Sequence, residues 1–357
     1  MSYTNLNLRT QSCEVCGITK HSKNLVLCEG CQVVWYCSSE HQESHLITHE
    51  RACEWIKDSR KILENRDASL QQWSGISVFS ELDVIVAEIA KDPDSWDGLG
   101  VTGQFPFVDA LTQISTIEAY ETALFHCQRM NLFEPRAYLY YILYLGVILR
   151  LGREQECYNF LKLWEVNYKG HREDPFLVRK DADPFQMAAS NDTKEADPFE
   201  MAASFIDTPE DLDLYPDFGQ LVCFQLLNIR RLMDLQTLQV ASESLPKYLP
   251  RELVDMTKAR VVGPSLSSRR DILECEDYSE RIELMWESIK KCHRITRLYS
   301  ESVWSEFLLY GPTNSTAAMT LDIELARKFV RPLMEEIPIA LDIIRHLERS
   351  HPPPQGL

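Results

Sequence analysis

The sequence predicts a mainly α protein: a small cysteine-rich module at the N-terminus followed by an all-α region. Three observations carry that expectation. Six of the eleven cysteines fall between Cys13 and Cys53. From Ser59 onward, apolar residues recur at helical spacing and strand signals are few. The chain has 357 residues, 45% hydrophobic and 25% charged, which excludes wholesale disorder and suffices for a hydrophobic core.

Charge narrows the partners. Lys plus Arg total 37 and Asp plus Glu total 54, a net charge of −17. Binding to a nucleic-acid backbone needs a basic surface that releases counterions, so nucleic acid is disfavoured, as is an anionic membrane. The longest apolar stretch, Ala137 to Leu149, lies between Arg136 and Arg150 and falls short of the ~20 residues that span a bilayer. It reads as a buried helix, and no membrane segment is expected.

The N-terminus, Met1-Ser2-Tyr3-Thr4-Asn5, has no basic n-region and no apolar h-region. The expectation is an intracellular protein, with nucleus and cytoplasm not distinguished. In that setting clustered Cys and His point to metal rather than to disulfides. Cys13-x2-Cys16 and Cys28-x2-Cys31 are two thiolate knuckles, each half of a tetrahedral zinc site. Cys37-x3-His41 and His49-x3-Cys53 are i, i+4 pairs, each able to clamp a metal from one helix face. Eight ligands make two closed sites and leave no position for a catalytic water. By spacing alone the pairs combine either sequentially or interleaved.

This ligand order resembles the MYND zinc finger, laid out as C-x2-C, C-x2-C, Tyr-Cys-x3-Cys-Gln and His-x3-Cys. Here the second half reads Trp35-Tyr36-Cys37, then His41-Gln42, and ends at His49 and Cys53. The resemblance implies zinc as cofactor, two ions, in interleaved sites: Cys13, Cys16, Cys37 and His41 in one, Cys28, Cys31, His49 and Cys53 in the other. The family usually has Cys at the position of His41, and imidazole serves zinc equally well. His45 lies on the same i, i+4 stripe as His41 and His49 and is the competing ligand in place of His41. Leu46 stands where the family usually has an aromatic residue.

The resemblance also implies a protein–protein module, several members binding short proline-rich peptides. A peptide of that kind loses little entropy on docking. Gln32-Val33-Val34-Trp35-Tyr36 is the candidate platform, the competing reading being a hairpin strand packed on the finger's own core. From Met1 to Asp58 there are five basic and seven acidic residues, and each three-thiolate zinc site adds −1. The finger is therefore anionic, a poor phosphate binder.

Ser39 followed by Gln42 is a capping-box pattern that opens the finger helix. A helical run then extends from about Thr48 past Leu63. Further helices are expected at Ser80–Lys91, Ser115–Asn131, Pro135–Leu151, Arg153–Val166, Phe218–Ser244, Tyr278–Leu309 and Leu321–Arg349. The resulting organisation is a finger at 1–58, a helical domain in two parts at 59–168 and 217–350, and a linker at 169–216. The linker holds a 14-residue tandem repeat, Lys180 to Ser190 and Lys194 to Ser204, with Asp-Pro-Phe in each copy and a further fragment at Asp174-Pro175-Phe176. It reads as a duplicated surface linker, with a multivalent interaction segment as the alternative.

Catalytic signatures fail in context. Gly98-x-Gly100-x-x-Gly103 follows a polar Asp/Pro run and precedes Gln104-Phe105-Pro106-Phe107, so it reads as a flexible loop rather than a dinucleotide fingerprint. No methyltransferase signature Asn-His-x-Cys occurs. The chain is similar to fungal MYND-finger proteins with a helical C-terminal region and no SET domain. The expected function is a non-enzymatic, zinc-binding adaptor for protein partners, the finger holding a linear peptide, with proline-rich peptides among the candidates. The alternatives are a divergent enzyme such as a protein methyltransferase with an accessory finger, and a transcriptional regulator.

Overall fold

The computed structural model describes residues 8–9, 11–19, 24–81, 84–85, 87, 103–133, 139–170, 218–246, 248–299, 302–309, 317–337 and 339–350. The chain divides into two compact units, Asn7–Leu151 and a second built on Gly152–Leu357. Among the described residues the regular elements are helices, apart from one two-stranded sheet and isolated bridges.

The first unit opens on that sheet. Strands β1 (Val26–Leu27) and β2 (Trp35–Tyr36) pair antiparallel, Val26 opposite Tyr36. Helix α1 (Ser39–Ser74) follows at once. Its N-cap is Ser38, whose hydroxyl accepts the His41 N–H at 3.4 Å, so the cap lies one residue before the expected Ser39. The run expected from Thr48 is the interior of this single helix. His49, Ile56, Leu63 and Leu70 are all buried. A spacing of seven returns to nearly the same face of a 3.6-residue helix. One stripe therefore supplies a metal-site imidazole at its start and core side chains further on.

The helix stops at Gly75, left-handed at φ 76, and Asp67 fastens the turn beyond. The Asp67 carboxylate accepts from the Ser77 hydroxyl and from the Val78 N–H at 2.6 Å. Helix α2 (Gln104–Leu111) begins directly after Gly103. This helix was not among those expected, and Gly98 and Gly100 of the expected loop lie outside the described residues. Pro106 sits in the first turn, where its missing N–H is not required. Gly103 lies against α1, and a Cβ there would sit 3.0 Å from the Leu63 Cα. Helices α3 (Ile117–Phe133) and α4 (Leu139–Arg150) complete the unit, α2 packing on α1 and α3, and α3 on α4. His126 is buried among Phe79, Phe107 and Phe125, and loss of solvation lowers its pKa to about 3. It is a neutral core residue.

The second unit is built around α6 (Phe218–Ser244), buried on nearly every face up to Leu235. Helix α5 (Glu154–Gly170) precedes it, and α7 (Arg251–Val261), α8 (Pro264–Ser267) and α9 (Arg270–Leu273) follow, none of these last three expected from sequence. The expected helix Tyr278–Leu309 is two, α10 (Ser279–Tyr299) and α11 (Val303–Leu308). Leu321–Arg349 is three, α12 (Ala317–Phe329), α13 (Arg331–Glu335) and α14 (Ala340–Ser350). Helix α6 packs on α5, α7, α10 and α12. The tandem repeat at 180–204, most of Ser80–Lys91 and Pro135 lie outside the described residues.

Candidate metal centre

Two side-chain clusters stand at the start of the first unit. Cys13, Cys16, Cys37 and His41 form one; Cys28, Cys31, His49 and Cys53 form the other, with donor atoms in each within 4.8 Å of one another. The order is interleaved. His41 rather than His45 completes the first cluster.

Each knuckle is shaped by its backbone. In the first, Gly17 takes φ 70 and its N–H returns to the Cys13 carbonyl at 2.8 Å. In the second, the Gln32 N–H returns to the Cys28 carbonyl at 2.9 Å, with Gln32 at φ 59. Helix α1 presents His41, His49 and Cys53, spaced eight and four residues apart, from one side, and Cys37 lies just before its cap.

The donor separations test zinc directly. Zn–S near 2.3 Å and Zn–N near 2.0 Å in a tetrahedron set S···S edges of about 3.8 Å and S···N edges of about 3.5 Å. In the first cluster the Cys16 and Cys37 Sγ atoms are 3.6 Å apart, and His41 Nδ1 is 3.4 Å from Cys13 Sγ and 3.2 Å from Cys37 Sγ. In the second, Cys28 and Cys53 Sγ atoms are 3.7 Å apart and His49 Nε2 is 3.4 Å from Cys31 Sγ. The two clusters fit two zinc ions. Three thiolates and one imidazole fill all four positions in each, which is the composition of a structural site.

Electrostatics point the same way. A hydrogen bond from the Cys31 thiol, aided by His49, brings the Cys28 pKa down to about 3, while that bond and burial drive Cys31 strongly up. Burial and the neighbouring thiols raise Cys37 to about 11, and burial raises Cys53. Cys13 is penalised by burial, but backbone N–H groups of Cys16, Cys37 and Val15 outweigh this and set it at about 6. Packed this closely, the thiols of each cluster share protons. Only a cation in their midst lets all three ionise together.

The second knuckle is bolted to the rest of its unit. Arg60 of α1 donates from Nη1 to the Gly30 carbonyl at 3.2 Å. The Thr116 hydroxyl donates to the Val33 carbonyl at 2.8 Å, and the Trp35 indole N–H donates to Glu118 at 3.1 Å. The Arg9 N–H and carbonyl bond Ser115 and Ile117. Sequence reasoning missed these anchors, because Arg60, Thr116 and Glu118 carry no motif. Of the Gln32–Tyr36 stretch expected as a platform, Val33, Val34 and Tyr36 are buried, Trp35 is half-covered and Gln32 is exposed. Among the described residues of 1–58 the exposed apolar side chains are Val15, Ile18, Val26, Leu46, Ile47 and Trp55, with Ile47 88% exposed.

His45 stands on α1 one turn beyond His41 and one turn before His49. Its Nδ1 is 2.8 Å from the Tyr36 hydroxyl, and its ring stacks on His49 at 5.3 Å between centroids and 16° between planes. Burial lowers its pKa and raises that of Tyr36, so a neutral phenol meets a neutral imidazole.

No described helix is long and apolar enough to cross a membrane. Residues 13–53 match the family model described as MYND finger. No curated protein and no solved structure matches the chain.

Proposed function

We propose that this chain, whose residues 13–53 are a MYND finger, a zinc-binding protein-interaction module, is a non-enzymatic adaptor with the finger holding a linear peptide. The observation that carries this reading is the closed coordination of both clusters beside uncovered apolar side chains. Metal chemistry needs an open position, and three thiolates with one imidazole leave none. What two such ions supply is rigidity, and a rigid small surface binds a peptide with little ordering of its own. The surface assigned to the peptide is the exposed side chains Val26, Leu46 and Ile47 rather than the buried Val33, Val34 and Tyr36. Proline-rich segments suit it because a preformed extended peptide loses little entropy.

The test uses the full chain with Leu46→Asp and Ile47→Asp together. Both positions are solvent-facing and neither is a metal donor, so zinc content and helicity should be unchanged. Affinity capture with mass spectrometry should then lose a partner set enriched in proline motifs. An identical partner set in the variant, at unchanged zinc content, sinks the peptide reading. A titration with S-adenosylmethionine that gives heat would move the reading to a methyltransferase.

A further inference from the structure

His45 is not a donor in either cluster, yet it contacts a donor of one and the residue beside a donor of the other. On one side its ring lies parallel to His49, a donor of the second cluster. On the other, its Nδ1 meets the hydroxyl of Tyr36, the residue before Cys37 of the first cluster. Its Nε2 faces the Glu14 carboxylate at 4.0 Å, and Glu14 follows Cys13 and is paired with Arg9. At 2.8 Å Nδ1 and the Tyr36 hydroxyl share a hydrogen bond, while the 4.0 Å to Glu14 is too long for one. Tyr36 also meets the His49 ring edge-on at 6.3 Å between centroids. His45 is thus bonded to the residue that precedes a first-cluster thiol, and it stacks on a second-cluster imidazole.

We propose that His45 is a positioning residue that links the two zinc sites: the Tyr36–His45–His49 contact transmits order in the first site to the His49 imidazole, so that occupancy of the second depends on it. The physical basis is directional. His49 uses Nε2 toward its cluster, so its ring plane sets where that nitrogen points. Neighbours that orient an imidazole ligand change metal affinity by about 10–100-fold. Nothing here requires a change in the number of zinc ions or in the peptide surface, so this inference stands or falls separately from the adaptor reading.

Zinc release to a chromogenic chelator from the zinc-loaded full chain tests it, with thiol alkylation and mass spectrometry reading which cysteines become free. In His45→Ala one zinc should leave about tenfold faster than in wild type while the other keeps its rate. Cys28, Cys31 and Cys53 should be alkylated before Cys13, Cys16 and Cys37. His45→Phe, which keeps a stacking ring, should release more slowly than His45→Ala. Tyr36→Phe, which removes one hydroxyl and keeps the buried ring, should show the same ordering with a smaller effect, and it serves if His45→Ala does not fold. Unchanged release, equal acceleration of both ions, first loss from the Cys13 cluster, or His45→Phe as fast as His45→Ala would each overturn the proposal.

Discussion

At the residue scale, two positions expose what the structure demands of single groups. Gly30 sits inside the second knuckle, where a Cβ would lie 2.5 Å from the Cys53 sulfur, closer than any real contact. The Gly30→Ala substitution should therefore displace that thiolate, leaving the full chain with one tightly held zinc instead of two. Elemental analysis after dialysis reads this, and two retained ions would show that the knuckle can shift. Asp234 is the second position. Burial first, then the Glu154 carboxylate, raise its pKa to about 7, against the bond it receives from Gly263 and the charges of Arg231 and Arg230. The native state thus binds this proton more tightly than the unfolded chain. Its stabilising contribution is full below the ordinary carboxylate range and is lost as pH rises through about 7. Each tenfold difference in proton affinity between the two states is worth about 1.4 kcal/mol. Asp234→Asn should keep the Gly263 N–H bond, flatten the pH dependence of stability up to neutrality, and equal or exceed wild type in mildly alkaline urea melts. A variant as pH-dependent as wild type would place the titration elsewhere.

At the scale of elements, α1 is the member that joins metal site to core. Its buried stripe places His49 in the second cluster and Ile56, Leu63 and Leu70 against the helices that follow. Arg60, on the same helix, grips the Gly30 carbonyl and lies 5.6 Å from the Phe107 ring centroid. A charged donor to a carbonyl contributes about 1.5–3 kcal/mol, so Arg60→Ala should lower the thermal midpoint by several degrees and speed zinc loss from the second cluster. Calorimetry with a parallel zinc-release assay measures both. A lower midpoint with unchanged release would confine Arg60 to packing.

At the scale of the whole molecule, the two units answer to different forces. The first contains both metal clusters, and strand β2 and the N-terminus of α3 are tied to the second knuckle. The second is organised around a helix buried on nearly every face from Phe218 to Leu235. Chelation of zinc should therefore raise hydrogen exchange across β1, β2, α1 and the start of α3, and leave α6 and α10 protected. Acid should act likewise, because protons compete with zinc for the thiolates. Exchange measured by mass spectrometry, with and without chelator, decides: equal deprotection of α6 would mean that zinc supports the entire chain.

The mainly α class, the two-zinc finger and its eight donors were legible along the chain, because metal ligation depends on residue type and spacing. Phe218–Ser244 was legible to the residue, since its apolar period and length leave one reading. What surrounds the donors depended on packing between distant segments. Trp35 and Val33 look like a binding strip in sequence, and Glu118 and Thr116, more than eighty positions away, tie down the Trp35 indole and the Val33 carbonyl. The helix after Gly103 and the breaks within 278–349 were likewise illegible, since apolar spacing marks a helical face but not where packing lets a helix stop. His45, one of three equally spaced histidines in sequence, became the residue that joins Tyr36 to His49 only when the fold set both against it.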